Sequence, residues 1–261
     1  MIAGWMTHPS ARGVDLDDPR LVSIRRAIVR DKPFLRRIYE EWYASIVRSL
    51  PKGDDPVLEL GSGGGFLDES VPGLITSELL SCAHVRLVLD GQVLPLRNGS
   101  LRAIAMTDVL HHLPDARRFL REAARCVRRG GRVVMIEPWV SAWSSIIYSR
   151  LHHEPFLPDA AEWAFPPGGA LSAANMALPW IIFVRDRARF EREFPEWRVV
   201  SLTPIMPFRY LLSGGVSMRS LMPAWTFGLW RIVEDAMSPW SRHFAMFAHI
   251  VLERTDARPA S

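Results

Sequence analysis

Cysteine is nearly absent from this chain of 261 residues: Cys82 and Cys126 are the whole complement, and neither belongs to a Cys-x-x-Cys pair. That excludes a disulfide scaffold and a cysteine-built metal site, and it fits a reducing, cytoplasmic setting. Long apolar runs are missing as well. No stretch reaches the roughly 18 residues needed to span a bilayer, so an integral membrane protein is excluded. Residues 1–20 hold Trp5, His8, Pro9 and several aspartates without the apolar segment of a secretory signal. Charge of one sign is not gathered anywhere either. The 32 Lys and Arg face 28 Asp and Glu, which leaves a net +4, and the arginines are scattered among acidic residues. No nucleic-acid partner is expected from that pattern. A mildly basic surface still suits an anionic small molecule or an anionic lipid surface, so peripheral membrane contact stays open. Internal repeats and low-complexity segments are lacking.

What is there reads as a folded α/β protein. A hydrophobic content of 48% with 23% charged residues is that of a globular chain, and the length suits one sizeable core. Leu21, Ile24 and Ile28, then Leu35, Ile38, Trp42, Ile46 and Leu50, recur at helical spacing, and Pro33 divides two helices. The polar turn 52–56 leads into Val57-Leu58-Glu59-Leu60, an apolar run that reads as a buried strand. Further strands are expected at Leu74–Ser77, Val85–Leu89, Ala103–Met106 and Arg132–Ile136. A helix after an Asp115 N-cap carries Phe119, Leu120, Ala123 and Val127, and Gly130-Gly131 is expected to end it. Strands that alternate with helices and are apolar on both faces imply a parallel sheet covered on both sides. Trp197–Leu202 and Phe244–Glu253 are expected to close it. Residues 1–50 read as a lead-in with lid helices, and 51–261 as the main domain. Insertions at about 140–195 and 203–240 are expected to lie over the substrate side.

The segment that carries chemistry is Glu59-Leu60-Gly61-Ser62-Gly63-Gly64-Gly65-Phe66. A strand that empties into a glycine turn, with a helix expected to follow it, lets a ligand press against main chain, because no Cβ stands in the way. A dinucleotide turn, Gly-x-Gly-x-x-Gly, would place glycine where Phe66 stands, which argues against a nicotinamide cofactor. Farther on come Asp90-Gly91-Gln92-Val93-Leu94-Pro95-Leu96-Arg97-Asn98-Gly99-Ser100-Leu101, then Thr107-Asp108-Val109-Leu110-His111-His112-Leu113-Pro114, then Gly130 to Pro138.

In this order the blocks resemble class I methyltransferases dependent on S-adenosylmethionine (SAM), and most resemble the type 11, ubiquinone/menaquinone-biosynthesis-like family. The likeness spans about residues 55–140. It implies a Rossmann-like, doubly wound seven-stranded sheet with a reversed last strand, N-terminal helices and a helical insertion after strand five. It also implies SAM as cofactor and S-adenosylhomocysteine as product. Glu59, Gly61, Ser62, Gly63 and Gly65 are then expected around the amino-acid part of SAM. Asp90, Gly91 and Gln92 are expected at the adenine, and Thr107 beside the cofactor. Glu78 takes the ribose, since a carboxylate accepts two hydroxyl donors at once. Two departures stand out: Arg102 occupies a position where the family carries aspartate, and too little chain follows Glu78 for a helix before the next strand.

Methyl transfer from a sulfonium needs alignment, and a base only where the acceptor loses a proton. His111 and His112 follow a strand's carboxyl end and are the candidate bases, with a packing role for the His-His-Leu stretch as the competing reading. Glu137, Trp139, Tyr148, His152 and His153 are the candidates for contact with a small-molecule acceptor. No metal is expected, because the partners that adjacent histidines would need are not identifiable. All of the ten tryptophans except Trp5 and Trp42 fall after Pro138. Core packing is the expectation for 178–184 and 221–230, with an acceptor pocket or a membrane face as alternatives. The arginines at 25, 26, 30, 36 and 37 read as a solvated helix face, with contact to an anionic substrate or lipid as the alternative. The expected activity is methyl transfer to O or C of a quinone-like, lipid-linked or secondary metabolite. The alternatives are a non-catalytic SAM-fold binding protein and a nicotinamide oxidoreductase.

Overall fold

The computed structural model describes residues 6–15, 17–166, 168–169 and 173–256. The reading of residues 1–5 and part of the reading of the 140–195 insertion therefore lie outside the described residues. The chain begins with α1 (Arg20–Asp31) and α2 (Pro33–Ser49), divided at Lys32; Pro33 stands at the first turn of α2, where its missing N–H is harmless. Then follow β1 (Val57–Leu60), β2 (Ile75–Glu78), β3 (Leu87–Val88), β4 (Leu101–Thr107), α3 (Ala116–Cys126), β5 (Val127–Pro138) and α4 (Ala142–Leu151). A short α5 (Leu178–Trp180) runs into a π-helical turn and is followed by α6 (Arg187–Glu193), β6 (Trp197–Ile205), α7 (Arg209–Ser213), α8 (Phe227–Ala236), α9 (Ser241–Phe244) and β7 (Phe247–Arg254).

The strands form one seven-stranded sheet in the order β3-β2-β1-β4-β5-β7-β6. The first five are parallel, and β7 runs antiparallel between β5 and β6. Period-two alternation distributes side chains to two cores. Leu58, Leu60, Ile104, Met106, Val133, Met135, Ile250 and Leu252 meet α3 and the α5–α6 region. Val57, Ala103, Ala105, Val134, Ile136 and Val251 meet α2, α4 and residues of α7 and α8. The sheet is thus apolar on both faces, as its continuous hydrophobic strands require. The order in which successive strands are added reverses between β1 and β4, which pair in parallel, and this is the switch point at which open α/β sheets gather ligands beyond the strands' carboxyl ends.

Several local expectations are corrected. No full helix follows the glycine turn. Leu67–Glu69 makes one 3-10 turn and Pro72-Gly73 ends it, while α2 covers that face, with Phe66 N–H donating to the Tyr43 hydroxyl at 3.2 Å. The helix after Asp115 stops at Cys126, and β5 begins at Val127, so Gly130-Gly131 lies within the strand. Strand β3 is only two residues long. Asp115 is the N-cap, accepting the N–H of Arg117 and of Arg118. The tail divides: Leu178, Ile181, Ile182 and Phe183 are buried, whereas Leu221, Trp225 and Leu229 face solvent. No helix among the described residues is long and apolar enough to cross a membrane.

Candidate active site at the switch point

The glycine turn leaves β1 in a shape that only glycine holds. Gly61 has φ +66°, and a Cβ there would lie 2.5 Å from Val109 Cγ2. The turn is tied to β2 by three bonds: Ser62 N–H to the Ser77 carbonyl (2.8 Å), Ser77 N–H to Ser62 Oγ (3.1 Å) and Ser77 Oγ to the Glu59 carbonyl (2.7 Å). At the end of β2, Glu78 accepts the N–H of Gly63 at 2.7 Å through Oε1 and that of Leu79 at 3.0 Å through Oε2. Burial pushes the Glu78 carboxyl up, and these two N–H groups pull it back. After β3, the Asp90 carboxylate accepts the backbone N–H of Gln92 (2.8 Å), and the Gln92 amide oxygen accepts the N–H of Asp115 (3.1 Å). Arg125 of α3 holds the following loop through the carbonyls of Leu94 and Leu96.

Together these segments wall one cavity of about 680 Å³. Of the residues singled out in the sequence, Gly61, Gly63, Glu78, Asp90, Gly91, Gln92, Thr107, His112, Tyr148, His152 and His153 line it. Glu59, Ser62, Gly65, His111, Glu137 and Trp139 do not reach its wall. Glu59 is buried and Gly65 is closed off by Tyr43, whose hydroxyl a Cβ there would strike. Trp139 belongs to the α3-side core and donates its N–H to the Met246 carbonyl. Burial pushes the Glu59 carboxyl up to about 8, against the opposing hydrogen bond from Ser62.

The floor of the cavity is a cluster of ionisable groups. His111 Nδ1–H donates to Glu137 Oε2 at 2.9 Å, and Glu137 Oε1 accepts the N–H groups of Val109 and Leu110 at 3.0 and 2.7 Å. Glu137 is thereby a positioning group for the turn and its histidine. His111 Nε2 lies 3.4 Å from Glu154 Oε2 and 3.9 Å from Asp108 Oδ1, and His112 Nε2 lies 3.8 Å from Glu154 Oε1. Burial opposes charge on His111, but the hydrogen bond to Glu137 and the nearby carboxylates of Glu154 and Asp108 overcome it and hold the imidazole well above its usual range. Burial, then the neighbouring His111, lowers His112 to about 4. Burial lifts Asp108 to about 6, and its backbone occupies the left-handed region at φ +64°. Tyr148 donates its hydroxyl to the Met246 carbonyl at 2.5 Å.

The wall also holds Tyr39 and Asp108, to which the sequence assigned no site role, together with Arg25 and Glu154. The arginine reading is corrected with them. Arg25 lines the cavity with its Nε buried and without a hydrogen-bond partner, Arg26 bonds the Gly65 carbonyl, and Arg30 pairs with Glu69 at 2.5 Å. The signal for Arg25 lay in helical phase, since it follows Leu21 by four positions and so shares that residue's buried side of α1.

Residues 58–135, from β1 into β5, match the family model described as Methyltransferase domain. Similar solved structures include a chain in the complex between the Haloferax volcanii Trm112 methyltransferase activator and a methyltransferase (14% identity, TM-score 0.55, covering 94% of this chain and 99% of that one). A SAM-dependent methyltransferase from Thermotoga maritima matches with 14% identity and TM-score 0.51 over 89% of this chain and 99% of that one. The geranyl diphosphate C-methyltransferase of Streptomyces coelicolor A3(2) matches at 16% identity and TM-score 0.49, over 85% and 81% of the two chains. None of the curated proteins matches in sequence. At such identities the solved structures establish the fold. The chain thus matches a methyltransferase domain model over residues 58–135, and its sheet has the class I methyltransferase fold. SAM is the cofactor such a domain takes.

Proposed function

We propose that the protein transfers the methyl group of SAM to O or C of a small, partly apolar acceptor. The observation that carries this reading is the two-part lining of this cavity. One end presents the glycine turn, Glu78 and the Asp90 loop, a polar cradle for an amino acid joined to a nucleoside. The other end is walled by Ile147, Leu151, Met176, Leu211, Met246 and Phe247, which would desolvate an apolar molecule. In this arrangement Gly63 lies under the methionine part, Glu78 accepts the ribose hydroxyls and Asp90 the adenine amino group. Transfer then consists of attack by the acceptor on the methyl carbon as the carbon–sulfur bond breaks to release S-adenosylhomocysteine. For a hydroxyl acceptor, the proton goes to Asp108 at the cavity floor.

The mouth of the cavity supports delivery of such an acceptor from lipid. Leu221 is a wall residue that also faces outward, and beyond it Trp225, in the turn before α8, and Leu229 and Ile232, on α8, are 80%, 59% and 67% exposed. The test is incubation of the protein with methyl-labelled SAM and a panel of quinol-like, prenylated and polar hydroxylated acceptors. The reading expects organic-extractable label from the apolar members, lost in Gly63→Arg. Cofactor binding with no label transfer to any member would favour the non-catalytic binding protein instead.

A further inference from the structure

The cluster at the cavity floor has more order than a proton acceptor requires. His111 Nε2, His112 Nε2 and a carboxylate oxygen of Glu154 all lie within 4.8 Å of one another. Each imidazole is already held by its other nitrogen. His111 Nδ1 is 2.9 Å from Glu137 Oε2, and His112 Nδ1 is 3.1 Å from the Ala173 carbonyl. An acceptor at each Nδ1 places the neutral ring's proton there, so a cation that displaces any proton from Nε2 meets a lone pair directed at the cluster. His111 Nε2 is buried with no hydrogen-bond partner, in a residue that is 0% exposed. A buried polar atom left unbonded is costly unless something occupies the space before it.

We propose that His111, His112 and Glu154 form a binding site for a first-row divalent metal ion of the zinc type. Two imidazole nitrogens and one carboxylate are the donor set of catalytic zinc sites, and they suit zinc, iron or cobalt rather than magnesium or calcium, which take oxygen ligands. Glu137 supplies the carboxylate–histidine support such sites use, and its own second oxygen is fixed by the N–H groups of Val109 and Leu110. His112 and Glu154 line the cavity, so a fourth position opens toward the acceptor end. There the ion would hold and polarise an acceptor oxygen. Occupancy of the site does not depend on the methyl-transfer reading, and cofactor binding is measured separately.

The test is titration of the full-length, chelator-treated protein with cobalt(II), followed by its visible ligand-field absorption. The wild type is expected to give one saturable band at one ion per chain, displaced by zinc. His112→Ala and Glu154→Ala remove ligands at the cavity wall rather than in the core. Each is expected to weaken cobalt binding at least about tenfold, and Glu137→Gln by about 10–100-fold through His111. Circular dichroism and S-adenosylhomocysteine calorimetry on the same samples report folding and the cofactor site. Absence of a saturable band in the wild type, or variants that are folded and bind cobalt as tightly as the wild type, would overturn the proposal.

Discussion

Replacement of Glu78 separates the ribose-binding role from general folding more sharply than any other single change. Its carboxylate is fixed by two N–H groups, from Gly63 and Leu79, and keeps lone pairs for two further donors. In Glu78→Ala a ribose would lose two charged hydrogen bonds, each worth about 1.5–3 kcal/mol gross. Water refills the space left by the side chain, so the net loss is nearer that of a single bond, about 1.5–3 kcal/mol, or roughly 10–150-fold in affinity. The same change frees the N–H of Gly63 and loosens the turn under the methionine part, which acts in the same direction. Glu78→Gln keeps one acceptor oxygen and is expected to fall between wild type and alanine. The assay is calorimetric titration with S-adenosylhomocysteine, accompanied by thermal unfolding to correct for any unfolded fraction. Affinity within about twofold of wild type in a folded Glu78→Ala protein would refute the reasoning.

Two further outcomes follow from the geometry. Glu59 holds a proton in the folded state up to about pH 8, whereas an ordinary glutamate releases it near 4.5. The folded state therefore binds more protons across that window, and stability falls as pH rises through it, by at most about 1.4 kcal/mol per pH unit from this group. Denaturant unfolding at pH 6 and 8.5 should show a smaller loss in Glu59→Gln than in wild type; equal losses would remove Glu59 as the source. At Gly64 a Cβ would lie 2.8 Å from the backbone of Arg25 and Arg26, which cannot rotate away. Gly64→Ala is expected to destabilise by about 1–3 kcal/mol, as overpacking does, and to lower the melting temperature; an unchanged melting temperature would contradict that packing.

The fold was legible where local signals agree. The apolar run 57–60, its glycine turn and the Asp115 cap each announce a particular element, and those elements stand where the residues place them. The chain's pairing with itself is less legible. The helix expected after Gly65 is missing because Pro72-Gly73 ends the segment and because Tyr43, from a helix far earlier in sequence, already fills that face. Gly130-Gly131 looked like a helix stop, but its position is set by pairing of β5 with β4, where the register shifts between Leu101 and Ala103. That Gly61, Gly63, Glu78 and Asp90 come together at one cavity was readable because they follow successive strands. The floor was not: Glu154 reaches His111 only through the turn after α4, and nothing in the local sequence records that return. Arginines on α1 resemble a solvated stripe until α1 is seen to lie against the glycine turn, with Arg25 at the cavity.

The most direct measurement is calorimetric titration of the purified protein with S-adenosylhomocysteine, set beside Gly63→Arg. Gly63 lies on the cavity wall, where a Cβ would meet Glu78 Oε1 at ordinary contact distance, 3.5 Å, so the arginine would occupy the cofactor's place; its φ of +49° strains any side chain there, and circular dichroism therefore accompanies the titration to show that the variant is folded. The account predicts one-to-one binding in the wild type and none in the folded variant. Equal binding by both proteins, or no binding by the wild type, would contradict it.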